Sequence, residues 1–311
     1  MILCCGEALI DMIPTPVASG GTAYAPHTGG AIFNTAIALG RLGAEAGLLS
    51  GVSTDGFGEM LVASLQANNV GTDHLIRSDR LTTLAIVHLS DGKAVYSFYD
   101  ENSAGSAITL ADLPALPDGI SALYFGGISL VAEPAASAYE ALMAQAAGNC
   151  TIVLDPNIRP GFITDEPAYR ARLARMIAMS DVVKVSDEDL DWITPEGGTL
   201  TDRARQMCEA GPQFVVVTKG EHGVTVVSRD AELDSPAVPA AVVDTVGAGD
   251  TFNAGLMVGL SRVGLLDKAS LATATIEDLR PALTLGAQAA AVTVSRAGAN
   301  PPWATELEGL G

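Results

Sequence analysis

A glycine-rich turn between two carboxylates, DTVGAGD from Asp244 to Asp250, runs into a segment where Phe252, Leu256, Leu260 and Val263 recur at helical spacing. The period starts a buried helix face just after Gly249, so the turn feeds a helix start. There, unpaired backbone N–H groups and a partial positive charge suit an anion such as phosphate. Gly247, Ala248 and Gly249 lack the bulk that would keep a ligand from those amides. Asp250 stands in the first turn, as a dipole-compensating residue or as a catalyst; the turn alone leaves both open. A second glycine-led helix start lies near the other end of the chain, where Gly29 and Gly30 precede a helical pattern and Asn34 follows one turn in. An amide offers a neutral polyol both a donor and an acceptor. Asp11, expected at the end of the first strand, is a matching acceptor for paired hydroxyls. Acid and amide on rigid elements are what a sugar site needs, although the segment by itself also fits a helix turn with Asn34 solvated.

The elements that must hold these residues alternate. Short β-rich runs (ILCC near residue 2, AGLLSGV from Ala46, ALYFGG from Ala122, TIVLD from Thr151, DVVKV from Asp181, FVVVT from Phe214) interleave with helical patterns from Ala31, Phe57, Pro134 and Glu166. This predicts an α/β fold, a mostly parallel, doubly wound sheet flanked by helices, as one domain over residues 1–311.

One region breaks the rhythm. Leu81 to Asp100 predicts two strands joined through a turn at Ser90, Asp91 and Gly92. By parity, Leu84, Ile86, Tyr96 and Phe98 share one face, and Ala85, Val87, Leu89, Val95 and Tyr99 the other. With apolar residues on both faces, the hairpin is expected to be a lid over a ligand, with an ordinary edge hairpin as the alternative. The lid is predicted to come from about residues 14–28 and 80–104.

Composition narrows the classes. Against 17 basic residues stand 36 acidic ones, a formal net charge of −19, which repels nucleic acid and anionic lipid, so neither is an expected partner. The N-terminal MILCCGEALIDMIP has no basic lead and carries Glu7 and Asp11 early, so export is not indicated and a cytoplasmic protein is expected. No stretch reaches the roughly 20 apolar residues of a membrane span. Cys4, Cys5, Cys150 and Cys208 are expected as buried thiols, Cys4 and Cys5 on opposite faces of a strand, and the four histidines have no zinc-like spacing.

The two glycine sites carry a resemblance that extends over nearly the whole chain. The GG-x-x-x-N segment running into G-x-S-x-D-x-F-G, Gly29 to Gly58, and the later DTVGAGDTF are similar to the two signatures of the PfkB (ribokinase-like) family of sugar and nucleoside kinases. That resemblance implies a large α/β domain with a small β lid, Mg-ATP as donor, transfer to a primary hydroxyl, and frequent homodimers that pair through their lids. It makes Asp250 the base and Gly247, Ala248 and Gly249 the anion hole. Asp11, Gly29, Gly30 and Asn34 would hold the sugar, while Thr218, Gly220 and Gly223 would line the nucleotide. Lys219 would add charge there or stay solvated.

Departures from the family pattern bear on metals. Where the family often has N-x-x-E organising magnesium through water, this chain has KVSDEDL, with Ser186 and Asp189 in those places and Lys184 able to face the phosphates instead. TVSRAGANPP, with Thr293, Arg296 and Gly298, resembles the loop that joins Asp244 and Val246 around a monovalent cation such as K+, although Pro302 stands where some members have a serine. DPNIRPGF supplies Arg159, a phosphate or sugar contact or a structural ion-pair partner. Together with SFYDENSAG and KVSDEDL it looks most like bacterial fructokinases, with 2-keto-3-deoxygluconate kinases as the nearest alternative, then ribokinases and nucleoside kinases. A nicotinamide enzyme fails because no G-x-G-x-x-G follows the first strand, and a Walker-type NTPase because no G-x-x-x-x-G-K-[ST] occurs. A non-catalytic sugar sensor on the same scaffold is the reading from another class.

Overall fold

The apolar runs pair into a nine-stranded sheet in the order Glu232–Ser235, Val224–Val227, Phe214–Thr218, Val182–Ser186, Thr151–Asp155, Ala122–Gly126, Ile2–Cys5, Ala46–Leu49, Val70–Gly71. A computed structural model of the chain describes residues 1–18, 20–90 and 93–309. From Phe214–Thr218 to Val70–Gly71 every pairing is parallel; the two strands at the other edge join antiparallel. Both faces are covered, which is why these strands read as continuous apolar runs rather than alternating ones.

Alternate residues of each strand feed two cores. Ile2, Cys4, Tyr124 and Val153 pack against the helices Ala31–Arg41, Gly56–Ala67, Ala248–Arg262 and Arg280–Val294, while Leu3, Cys5, Phe125 and Leu154 pack against Ala135–Ala146, Glu166–Met179 and Leu200–Ala210. Cys4 and Cys5 thus point to opposite faces, and all four cysteines are buried and free. Val263 ends its helix 43% exposed; the buried stripe of that helix stops at Leu260. No helix among the described residues is long and apolar enough to cross a membrane.

A second sheet, ordered Thr22–Gly29, Leu9–Pro16, Leu84–Ser90, Lys93–Tyr99, stands apart from the first. It corrects two expectations. Asp11 does not end the first strand. The main-sheet strand stops at Cys5, and after Gly6, Glu7 and Ala8 the chain starts the small sheet at Leu9, so Asp11 lies on that sheet. The faces of the hairpin also regroup. Ala85 opposes Phe98 and Val87 opposes Tyr96, whereas Leu84 opposes Tyr99. Opposed residues share a face, and because the two strands close at Ser90 and Lys93, odd positions on one oppose even positions on the other. Phe98 and Tyr96 therefore stand with Ala85 and Val87, not with Leu84 and Ile86. Asp91 and Gly92 of the expected turn lie outside the described residues, as do the side chains of Leu89, Ser90 and Val95.

Candidate active site

The carboxyl ends of the parallel strands open onto one cavity of about 770 Å³, roofed by the small sheet. This is where open α/β sheets bind ligands. Its walls include Asp11, Gly30, Asn34, Arg159, Lys184, Ser186, Thr218, Gly247, Gly249 and Asp250, residues expected at the site from their sequence pattern. Gly29 serves it indirectly. A Cβ there would lie 2.1 Å from Asp11 Oδ2, so only glycine lets the Asp11 carboxylate rest against the neighbouring strand. Burial pushes the Asp11 carboxyl up to about 6, and His27 beside it pulls the other way.

Two helices begin at this cavity. At Ala248–Arg262 the N-cap Gly247 is left-handed (φ 76°), and a Cβ on it would meet Ala299 Cβ at 2.7 Å, so turn and backing loop both demand glycine. Ala248 N–H turns to Thr245 O (3.3 Å), whereas the N–H groups of Gly247, Gly249 and Asp250 have no hydrogen-bond partner among the described residues. The other helix, Ala31–Arg41, is closed: Ala31 N–H donates to Glu7 Oε1 (2.9 Å), Phe33 N–H to Glu7 O (3.2 Å) and Asn34 N–H to Gly30 O (2.8 Å). Glu7 also accepts from Ser129 N–H (3.2 Å), and its burial raises its carboxyl to about 6.

Asp250 is 7% exposed, and one of its oxygens accepts from Asn34 Nδ2 at 3.0 Å. Asn34 is therefore not simply solvated; its donor already rests on the acid. The field of a helix start by itself favours the ionised form of such an acid. Burial outweighs that field: it pushes the carboxyl up to about 7, with Asp155 and Glu7 adding to the rise and Asn34 and Lys184 opposing it.

Beneath the open turn lies a buried polar network that the sequence did not reveal. Lys184 Nζ donates to Asp155 Oδ2 (2.9 Å), which also accepts from Asn253 Nδ2 (2.7 Å); Asn253 donates as well to Tyr124 Oη (2.9 Å). Burial alone would lower the Lys184 pKa, but Asp155, Asp189 and Asp250 around it turn the shift upward. The ammonium comes within 3.1 Å of where a Cβ on Gly249 would stand, so a fixed cation borders the open amides.

Other expected residues are placed as follows. Arg159 donates to its neighbour's carbonyl, Ile158 O (3.0 Å), has no ion pair among the described residues, and borders the cavity. Asp189 forms a capping box with Ser186 and accepts from Ile158 N–H (3.0 Å) and Ser186 N–H (3.3 Å), so both its oxygens hold backbone. Lys219 turns to Asp234 of the edge strand (3.2 Å). Asp244 draws two segments together, accepting from Val246 N–H (3.1 Å) and Gly298 N–H (2.9 Å). Of the other residues in that group, Thr293 is buried with its hydroxyl donating to Ala289 O (3.1 Å), and Arg296 pairs with Glu306 (2.5 Å).

A second cavity of about 620 Å³ shares Thr218, Thr245 and Gly249 with the first. Gly220 and Gly223 line it, with Pro239, Val242, Ala287 and Val294, residues that no sequence pattern marked. The open turn is thus the common wall between a polar chamber and a largely apolar one. A cavity of about 820 Å³ under the opposite face of the small sheet lacks this convergence; its Asp55 caps a helix through Gly58 N–H (2.7 Å).

The model of the pfkB family carbohydrate kinases matches residues 1–306. The chain belongs to that family. This kinase is 48% identical over 280 residues to a fructokinase of Rhizobium leguminosarum bv. trifolii, covering 90% of this chain and 86% of that one. Among solved structures, the fructokinase of Xylella fastidiosa with bound ATP superposes with a TM-score of 0.83 at 28% identity, covering 99% and 97% of the two chains. A fructokinase of Vibrio cholerae O395 holding fructose, ADP and a calcium ion superposes with a TM-score of 0.81 at 25% identity, covering 96% and 94%. The kinase thus has the ribokinase-like architecture expected from its motifs.

Proposed function

We propose that this kinase transfers the γ-phosphoryl group of ATP to a primary hydroxyl of D-fructose. The observation that carries the reading is the convergence of Asp250 and three amides, unpartnered among the described residues, at the turn whose Gly249 borders both chambers. The sugar hydroxyl displaces Asn34 from Asp250 and gives the acid its proton as its oxygen bonds to phosphorus. The bond from phosphorus to the ADP oxygen breaks. Phosphoryl transfer of this kind passes through a loose transition state, so positioning and charge stabilisation outweigh base strength. The amides of Gly247, Gly249 and Asp250, with Lys184, face the oxygens that carry that charge.

Asp11, against Gly29, accepts from ring hydroxyls, and Arg159 adds donors. Six carboxylates (Glu7, Asp11, Asp155, Glu188, Asp189 and Asp250) line the sugar chamber against Arg159 and Lys184, and Lys184 is already paired. That balance favours a neutral ketose over the acidic 2-keto-3-deoxygluconate. Thr218, Gly220 and Gly223 border the nucleotide chamber, whose apolar wall suits a base.

No group of three or more metal-ligating side chains occurs among the described residues, which fits a Mg2+ that arrives on the phosphates and keeps its water. Glu188 and Asp189 would hold it through water, and it would neutralise phosphate charge. K+ would sit where Asp244 joins the 244–246 and 296–298 segments, behind the same turn. The small sheet is the lid, and its outer face, with Tyr24 39% and Tyr99 67% exposed, is the surface through which two copies pair.

The test is a coupled ADP-release assay with fructose, 2-keto-3-deoxygluconate, ribose and adenosine. Fructose is expected to lead by at least ~tenfold in kcat/KM, about 1.4 kcal/mol of discrimination. Sugar binding without ADP release in the presence of Mg-ATP would instead make the protein a sensor.

A further inference from the structure

Phe98 is the lid's only contact of its kind with the body of the kinase among the described residues: its ring meets Phe162 edge to face, centroids 4.3 Å apart. Phe98 comes from the strand Lys93–Tyr99, Phe162 from the short turn Pro160–Phe162 that follows Arg159, and both line the sugar chamber. Neither takes part in the proposed proton or phosphoryl movements.

The register of the lid fixes where this pair stands. Asp11 opposes Ala85 on the next strand, and Ala85 opposes Phe98 on the one beyond, so an acid, a methyl group and a phenyl ring form one row on the face above the chamber. Two strand spacings of about 4.8 Å put Phe98 roughly 10 Å from Asp11 along the row. Ala85 between them is fully buried and adds only a methyl group to the row. The row also has a direction. Asp11 rests against Gly29, Gly30 caps the helix that carries Asn34, and Asn34 holds Asp250. Phe98 therefore closes the end of the row remote from the base. Opposite it, Phe162 rises from the body, and the two rings meet.

We infer that Phe98 and Phe162 form a wall that limits the acceptor to a single sugar ring. The inference rests on the kinase reading of this chamber and deepens it by naming what sets acceptor size. An acceptor whose hydroxyl lies at Asp250 and whose ring lies beside Asp11 ends at this wall. A nucleoside, whose base projects from the ring carbon remote from the primary hydroxyl, runs into it. Edge-to-face packing gives the pair a defined shape rather than a yielding one. The wall also ties lid to body, so it is complete only with the lid down.

The experiment compares kcat/KM for fructose and adenosine in wild type, Phe162→Ala and Phe162→Leu, with thermal midpoints recorded for each. Removing the ring is expected to raise the adenosine-to-fructose ratio at least ~tenfold, a size typical of discrimination by a hydrophobic wall, and leucine, which refills part of the space, to raise it less. A ratio that stays at the wild-type value in a folded Phe162→Ala protein, or a parallel fall for both acceptors, overturns the inference. Should Phe162→Ala fail to fold, the Leu variant and Phe98→Leu carry the same ratio test. If the wild type does not phosphorylate fructose, the fructose reading fails by itself; the ratio is then taken against whichever of ribose or 2-keto-3-deoxygluconate it does phosphorylate.

Discussion

Two helix starts face one cavity, and they differ in who fills them. At Ala31–Arg41 the protein supplies its own anion: Glu7 takes the Ala31 amide with its carboxylate and the Phe33 amide with its carbonyl. At Ala248–Arg262 the amides of Gly247, Gly249 and Asp250 are left without a partner among the described residues, and Lys184 lies beside them. Helix dipoles favour negative charge at both. The first is satisfied internally, so what it offers a ligand is neutral; the second waits for an anion. One end therefore suits a sugar and the other a phosphoryl group.

The largest effect is expected at the open start. Asp250→Asn should lower kcat ~10²- to 10⁴-fold, the usual worth of general-base help, while the sugar KM changes little. Steady-state kinetics check this, and turnover equal to wild type would remove Asp250 from the mechanism. Because burial raises the carboxyl to about 7, the free enzyme should lose kcat/KM as pH falls through that value, since only the ionised form accepts a proton. The stability sign is opposite to activity. A raised carboxyl pKa means the folded state binds the proton better, so stability falls as pH rises from the ordinary carboxylate range through about 7. Asp250→Asn should therefore melt higher than wild type at pH 8, and the difference should shrink towards pH 4.

A smaller effect separates the two starts. Gly247→Ala strains a left-handed residue by roughly 1–2 kcal/mol and pushes on Ala299, so it should raise the ATP KM and lower kcat about tenfold to hundredfold. Gly30→Ala, also at positive φ (106°) but at the closed start, should raise the sugar KM and leave the ATP KM near wild type. If both variants disturb the same substrate, the division of labour is wrong.

The smallest effect belongs to Glu7→Gln. A neutral amide still accepts one backbone hydrogen bond, and the net loss is about 1 kcal/mol, a fivefold rise in sugar KM. The ATP KM should hold, as measured across pH 5 to 8.

What the sequence disclosed was local. Both helix starts were legible because glycine, amide and acid sit within a few residues of an apolar period, and the strands because β-rich runs are short and regular. Asp11 does line the cavity, but it was put on the wrong sheet, since the Gly6–Glu7–Ala8 break carries no strong turn signal. The faces of the lid hairpin were misgrouped because they depend on how many residues close the turn, which parity within each strand does not tell. Glu7, Asp155 and Asn253 went unassigned because their partners lie tens to more than a hundred positions away.

The strand Ile2–Cys5 lies inside the sheet, between neighbours drawn from residues 46–49 and 122–126, and the acid of the open turn arrives only at residue 250. One edge of this apolar strand thus stays unpaired until the segment at 122–126 has been made, an invitation to chaperones. By connectivity, no fragment ending before residue 250 brings the open turn to the cavity it borders.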